Sequence, residues 1–251
     1  MKAALITGGA KRIGAAIAAA LAAGGYRIAL HCHRSRHEAE ALAGRLRLSG
    51  SEVAIVTADL ADPTALPGLV ADAASALGPL TLLVNNAALF EDDRIGRLDP
   101  ALFDRQMAVN LRAPLLLAEA FARQAPVGAD ASVVNLVDQR VLRPTPDHVS
   151  YGLSKAALWA ATQMMAQALA PTIRVNAVAP GPALPNWQEG EAAFARESAA
   201  LPLARPVSPD HIAEAVVFLA GAVSTTGQMI AVDGGQHLSW RTPDVLAREV
   251  P

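Results

Sequence analysis

The chain contains one cysteine, Cys32, in 251 residues. A lone thiol excludes an internal disulfide framework and a multi-thiolate metal site, and it suits a reducing cytoplasm. Aromatic residues are scarce at 4 %, only two of them tyrosines, and there are just three lysines. A tyrosine and a lysine set close together are therefore not what composition alone supplies. Charge of one sign is also missing: the net charge is -2 at pH 7, and the basic residues are scattered along the chain. That excludes the electrostatic footprint of a nucleic-acid or anionic-membrane binder and leaves a small molecule as the expected partner. No run reaches the roughly 18 uncharged apolar residues of a membrane span. Lys11 and Arg12 ahead of the apolar run Ile13 to Ala23 superficially resemble a secretory leader, but a strand-like segment and a glycine turn precede them. A soluble, cytoplasmic protein is expected. Repeats, low-complexity linkers and composition breaks are absent too, so one domain is expected over residues 1–251, with 52 % hydrophobic residues to fill its core.

What the chain does have is alternation. Apolar, β-branched runs at Ala3–Thr7, Arg27–His31, Glu52–Thr57, Leu80–Val84, Ser132–Val137, Arg174–Val178 and Met229–Val232 read as strands. Helix-like segments separate them, with start signals at Asp62-Pro63, Asp99-Pro100 and Ser208-Pro209, where a capping side chain precedes a proline suited to the first helical position. Strand and helix in turn predict an α/β fold: a doubly wound, Rossmann-type parallel sheet with helices on both faces and ligands at the carboxyl ends of the strands. The proline-rich stretch Pro180 to Pro185, with the segment that follows, predicts a substrate loop at about 181–205, with Leu184 and Trp187 in its wall.

Three constellations carry chemistry. Tyr151 and Lys155 in YGLSK stand four apart, on one face of a helix, where the ammonium is expected to draw the phenol's pKa down from about 10. Asp138 lies thirteen positions before the tyrosine. The segment TGGAKRIG, Thr7 to Gly14, follows the first strand and opens a helix, so its amides and positive dipole end suit a pyrophosphate; Gly8 and Gly9 permit the turn and Gly14 close packing. The second strand ends in HCHRS, His31 to Ser35, with no acidic residue before Glu38. Arginine and serine there, in place of a ribose-binding carboxylate, suit a 2′-phosphate, so NADPH is expected, held by Arg34 and Ser35. His31 and His33 lack the further ligands a metal needs; they are expected to line the adenosine end, and no metal is expected.

TGGAKRIG, Asp59-Leu60, NNAA at Asn85 to Ala88, Asn110, YGLSK and VDGG at Val232 to Gly235 together resemble the short-chain dehydrogenase/reductase family over nearly the whole chain. The resemblance implies roles. Gly8, Lys11, Arg12, Ile13, His33, Leu60 and Asp59 would line the cofactor's phosphate and adenine end, and Asn86 and Ala87 its channel. Asn110 would hold a water in a proton relay. Tyr151 would be the acid, with Lys155 binding the nicotinamide ribose, and Pro180 and Gly181 would border the nicotinamide. A homo-oligomer, typically a tetramer, is implied, with the helices around Leu111 to Phe121 and after Tyr151 as contact faces.

Departures from the family pattern narrow the choice. The serine usual thirteen before the tyrosine is Asp138, the second loop glycine is Arg12, and the threonine after the PG pair is missing from PGPALPN. These features resemble the pteridine reductase and dihydromonapterin reductase branch, in which a phenylalanine at the place of Phe90 stacks on the pterin. Arg12, Phe90, Asp138, Tyr151, Pro182 and Leu184 are then the implied substrate contacts. An ionised carboxylate opposes an oxyanion growing on a ketone, whereas reduction of C=N needs a proton delivered to nitrogen. The expected activity is NADPH-dependent reduction of a pterin or dihydropterin C=N bond. The alternatives are a carbonyl or 3-oxoacyl thioester reductase of the same family, and a non-catalytic NADPH-binding regulator.

Overall fold

The computed structural model describes residues 2–185 and 190–240. Seven strands, β1 (Ala3–Ile6), β2 (Arg27–Cys32), β3 (Val53–Thr57), β4 (Leu82–Asn85), β5 (Ala131–Leu136), β6 (Ile173–Pro180) and β7 (Met229–Val232), form one sheet in the order β3-β2-β1-β4-β5-β6-β7. Every pairing is parallel. All seven strands fall where the apolar runs predict them. The chain order reverses between β1 and β4, and a crevice outside the carboxyl ends of the strands opens at such a switch point.

Helices α1 (Arg12–Ala23), α2 (Arg36–Leu48) and α8 (Pro209–Gly221) cover one face, and α3 (Leu66–Leu77), α5 (Ala113–Gln124) and α6 (Val149–Leu169) the other. The strands are buried on both sides, which is why they read as unbroken apolar runs rather than alternating ones. In α1 the apolar spacing sets Ile17, Ala18 and Leu21 against the sheet. On the opposite face Phe121 of α5 is fully buried, a contribution of about 2–3 kcal/mol. Among the described residues no helix is long and apolar enough to cross a membrane.

Two of the three expected caps occur. Asp99 accepts from the Ala101 amide ahead of α4 (Pro100–Met107), and Ser208 forms a capping box with His211 at α8. Asp62 does not start a helix. Its Oδ1 closes a turn by accepting from the Thr64 amide and hydroxyl, and α3 begins at Leu66 with Pro67 in its first turn. Local hydrogen bonding of an Asx turn competes with the cap, and here it prevails. The expected substrate loop also differs in part: α7 (Gly190–Ala200) occupies its middle, built from strong helix formers in EAAFARESAA. Trp187 lies outside the described residues.

Candidate functional site

Strand ends deliver the site residues. Thr7 leaves β1, Asn86 follows β4, Asp138 follows β5, and Pro180 closes β6. Buried polar contacts lock these ends together. Thr7 Oγ1 accepts from the amides of Asn86 and Ala87, each at 3.0 Å, and Asn86 Nδ2 donates to the carbonyls of Thr7 and Gly8. Deeper in, Asn85 donates to Asn135 and Asn135 to Thr162 of α6, both at 2.9 Å. Asn85 Nδ2 and both ends of the Asn135 amide are thereby paired, Asn85 Oδ1 is left without a partner among the described residues, and the chain of contacts ties α6 to the sheet.

Two adjoining cavities share Arg12, Ile13, Asn86 and Ala88. The first, about 530 Å³, is lined by the phosphate loop, by His31 to Ser35 and by Asp59, Leu60 and Ala87. Gly8 has φ +60, and a Cβ there would press on Ala87; a Cβ on Gly14 would collide with the Gly8 carbonyl. Helix α1 has no side-chain cap and no acidic residue in its first turn, so its leading amides face the cavity with a positive dipole end. The Ser35 hydroxyl likewise makes no cap at the start of α2. Lys11 reaches across to Glu38 at 3.2 Å, and Asp59 Oδ1 holds the Ala61 amide. The sequence places both histidines at the adenosine end, and His33 does stand there, exposed, with Nε2 4.0 Å from Asp59. His31 borders the same cavity but is buried behind it. It is 2 % exposed, and its ring is bonded between the Gly8 amide and the Ala58 carbonyl.

The second cavity, about 510 Å³, is lined by Phe90, Asp138, Arg140, His148, Tyr151, Lys155 and Pro180 to Leu184, with Phe194 and Glu197 of α7 on the far wall. Tyr151 donates its hydroxyl proton to Asp138 Oδ2 at 2.9 Å. Asp138 Oδ1 accepts from the Arg140 amide at 2.8 Å, and the Arg140 guanidinium lies 3.5 Å from both carboxylate oxygens. The carboxylate thus does two things at once: it caps the short 3-10 turn Gln139–Val141 beside Arg140, and it holds the phenol.

This arrangement corrects the expected tuning of Tyr151. Burial, then the Asp138 charge and its hydrogen bond, raise the phenol well above its ordinary value; of the cations, Arg140 opposes this. Lys155 does face the tyrosine ring, with Nζ 5.7 Å from its centroid, yet its Nζ donates to the Leu136 carbonyl at 2.6 Å. Burial lowers the amine from 10.5 to about 8, partly offset by Asp138. The i, i+4 spacing sets direction on the helix, but burial first, and then the Asp138 carboxylate from another strand end, raise the phenol's pKa.

Asn110 lies in a five-residue π-helical turn, Ala108–Arg112. Its Oδ1 accepts from the Leu89 amide at 2.8 Å, and Nδ2 donates to the Leu89 carbonyl and to Ser154 Oγ. The side chain therefore clamps the loop after β4 rather than facing a relay water.

Arg12 adopts φ 53, a left-handed conformation that a glycine reaches freely and that costs an arginine about 1–2 kcal/mol. Its guanidinium donates to the Pro185 carbonyl at 3.4 Å and joins the two cavities. Phe90 stacks on His148 at 4.2 Å and meets Tyr151 edge-on at 4.7 Å. His148 carries no sequence signal; it too has positive φ, 54, and its Nδ1 donates to the Glu91 carbonyl. Asp93 was equally hidden: it is 4 % exposed and accepts from the amide and hydroxyl of Ser150, supplying α6 with the cap that His148 does not.

Comparison with known proteins agrees with this geometry. A family profile described as enoyl-(acyl carrier protein) reductase matches residues 8–237. The structure of FolM alternative dihydrofolate reductase 1 from Brucella canis, complexed with NADP, is 49 % identical, covers 97 % of each chain and superposes with a TM-score of 0.92. A blue fluorescent protein from a metagenomic library, in complex with NADPH, is 34 % identical, with 93 % of this chain and 97 % of that one covered and a TM-score of 0.87. The 3-oxoacyl-[acyl-carrier-protein] reductase FabG of Staphylococcus aureus is 30 % identical over 242 residues, 94 % of this chain and 98 % of its own. With its parallel sheet, glycine loop and Tyr151/Lys155 helix, this chain belongs to the short-chain dehydrogenase/reductase family.

Proposed function

We propose that the protein is an NADPH-dependent reductase of a C=N bond in a pterin or dihydropterin. The carrying observation is the hydrogen bond from Tyr151 to Asp138. Asp138 accepts hydrogen bonds from the Tyr151 hydroxyl and the Arg140 amide, both donors, which is the pattern of an ionised acceptor. A carboxylate in that position opposes negative charge growing on a carbonyl oxygen, so it disfavours ketone reduction. It favours a reacting atom that ends the reaction as a protonated nitrogen.

The residues fit NADPH. The uncapped amides of α1 suit the pyrophosphate, and Arg34 and Ser35 suit the 2′-phosphate, with no carboxylate at the end of β2 to hold a ribose diol. When bound, the cofactor supplies a hydride to the substrate carbon. Tyr151 Oη holds the proton for the neighbouring nitrogen, and Asp138 keeps it there until the nitrogen's basicity draws it off. Asp138, partly open to the cavity and held beside the Arg140 guanidinium, then passes a proton from solvent to the Tyr151 oxygen. Lys155, held by the Leu136 carbonyl in the wall of the Tyr151 cavity, would bind the nicotinamide ribose. Phe90, backed by His148, presents an aromatic wall to a flat heterocycle, and Pro182 and Leu184 close the opposite side. The relatives named FolM alternative dihydrofolate reductase support this reading.

A second reading, reduction of a 3-oxoacyl thioester, is favoured by the names of curated relatives such as FabG. NADPH oxidation by the purified protein, followed with dihydrobiopterin, dihydromonapterin and dihydrofolate against acetoacetyl thioesters, separates the two. Turnover of a dihydropterin, lost in Asp138→Asn, is expected. Turnover of thioesters alone would overturn the assignment, and NADPH binding with no turnover on either panel would favour a regulator. The reading implies a cytoplasmic enzyme. A homotetramer is proposed with it, supported by the exposed Leu115 and Leu116 on α5 and Leu153 and Met164 on α6.

A further inference from the structure

His31 is a buried histidine that the proton chemistry does not use. Its surroundings leave one arrangement of its proton. The Gly8 amide can only donate, and it points at Nδ1 from 3.1 Å; the Ala58 carbonyl can only accept, and it lies 3.1 Å from Nε2. The ring is therefore neutral, with hydrogen on Nε2 and a lone pair on Nδ1. Its own carbonyl accepts from the next loop amide, Gly9, at 3.0 Å. One residue at the end of β2 thus takes up the amides of both turn glycines, Gly8 and Gly9, and joins them to the end of β3. The loop's later amides, up to the uncapped start of α1, are the ones left facing the cavity.

We propose that His31 is the positioning residue of the phosphate loop: its neutral Nε2–H form, clamped between Gly8 and Ala58, sets the direction in which the loop's remaining amides meet the cofactor pyrophosphate. Protonation puts a second N–H against the Gly8 N–H, two donors face to face, and the clamp opens. Burial favours the neutral ring and holds its pKa below the usual 6.5. The charged or titratable groups facing it are His33, which acts in the same direction, and Asp59, which opposes it; the Ala58 carbonyl also opposes it. As pH falls through this lowered value, cofactor affinity should fall with it.

NADPH and NADH binding to the full-length protein, measured by fluorescence titration between pH 5 and 8, tests this. NADH lacks the titrating 2′-phosphate, so any effect of pH common to both cofactors comes from the protein. His31→Leu removes the acceptor and should weaken both cofactors about tenfold at pH 8, the loss of one buried hydrogen bond. His31→Asn puts an oxygen at the Nδ1 position without a titrating ring. It should stay within about threefold of the native affinity at pH 8 and lose the decline in NADH affinity at low pH. His33 is present in both proteins, so its titration cancels. A His31→Asn protein whose NADH affinity declines with pH as the native protein's does would overturn the proposal, even where His31→Leu fails to fold. So would a folded His31→Leu protein with native affinity. Neither outcome bears on the pterin assignment, because no substrate is present.

Discussion

Tyr151 donates to Asp138 at 2.9 Å, while Lys155, one turn along the same helix, donates a hydrogen bond to the Leu136 carbonyl. The phenol is thus governed by its burial and by the anion that follows β5 rather than by the cation beside it in sequence, and the proton it holds is hard to remove in the absence of a basic substrate atom.

That relationship has a spectroscopic consequence. Asp138→Asn removes the charge and should lower the Tyr151 pKa toward the ordinary phenol range of about 10. Tyr26, also raised by burial, is the other tyrosine, so the measurement belongs in a Tyr26→Phe background. Ultraviolet absorbance of tyrosinate against pH should shift to lower pH in the Asp138→Asn protein, and an unchanged titration would contradict the geometry.

Lys155 makes stability depend on pH in a defined window. Its folded pKa of about 8 lies below the 10.5 of an open chain, so the unfolded state binds more protons between those values. The cost of the buried ammonium, about 3 kcal/mol, is fully present below pH 8 and vanishes above pH 10.5. Lys155→Met should therefore raise the stability of the cofactor-free protein at pH 7 and lose that advantage near pH 10.5, read by urea unfolding at both pH values. Turnover should fall by about two orders of magnitude or more.

Cofactor choice tests the end of β2. Arg34→Ala should lower kcat/KM for NADPH by about 10- to 100-fold, the loss of a charge-assisted phosphate contact, and change that for NADH by less than about threefold. Equal losses on both would show that the 2′-phosphate is not read there.

Asp93 predicts an effect on stability. It replaces the missing local cap of α6, the helix that carries Tyr151 and Lys155. Asp93→Ala should destabilise the fold by about 2 kcal/mol, seen as a lower urea midpoint, whereas Asp93→Asn, which keeps an acceptor, should lose less.

The sheet was legible because its strands are buried on both faces: apolar runs such as AALI and LLVN have no other stable place in a chain of this composition. Helix starts were legible only where the cap acts locally, as at Asp99 and Ser208, and failed at Asp62, where a tighter turn takes the same oxygen. The site divides in the same way. Gly8, Gly14, Tyr151, Lys155 and Asp138 could be named from spacing, since a glycine loop after a strand and an i, i+4 pair are local features. The clamp made by His31, and Asp93 and His148 altogether, could not: their partners Gly8, Ser150 and Phe90 lie 23, 57 and 58 positions away in the chain.

Sequence by itself determined the order of strands and helices, the loop that receives phosphate and the helix face that carries the phenol and amine, because each follows from backbone sterics and hydrophobic periodicity over a few residues. Only the tertiary structure decided what those groups can do. Whether Tyr151 is acidified or held protonated, and whether His31 faces a ligand or clamps a loop, depends on which charges and amides other strand ends bring within hydrogen-bonding distance, and electrostatics in a buried site is set by distance through space rather than along the chain.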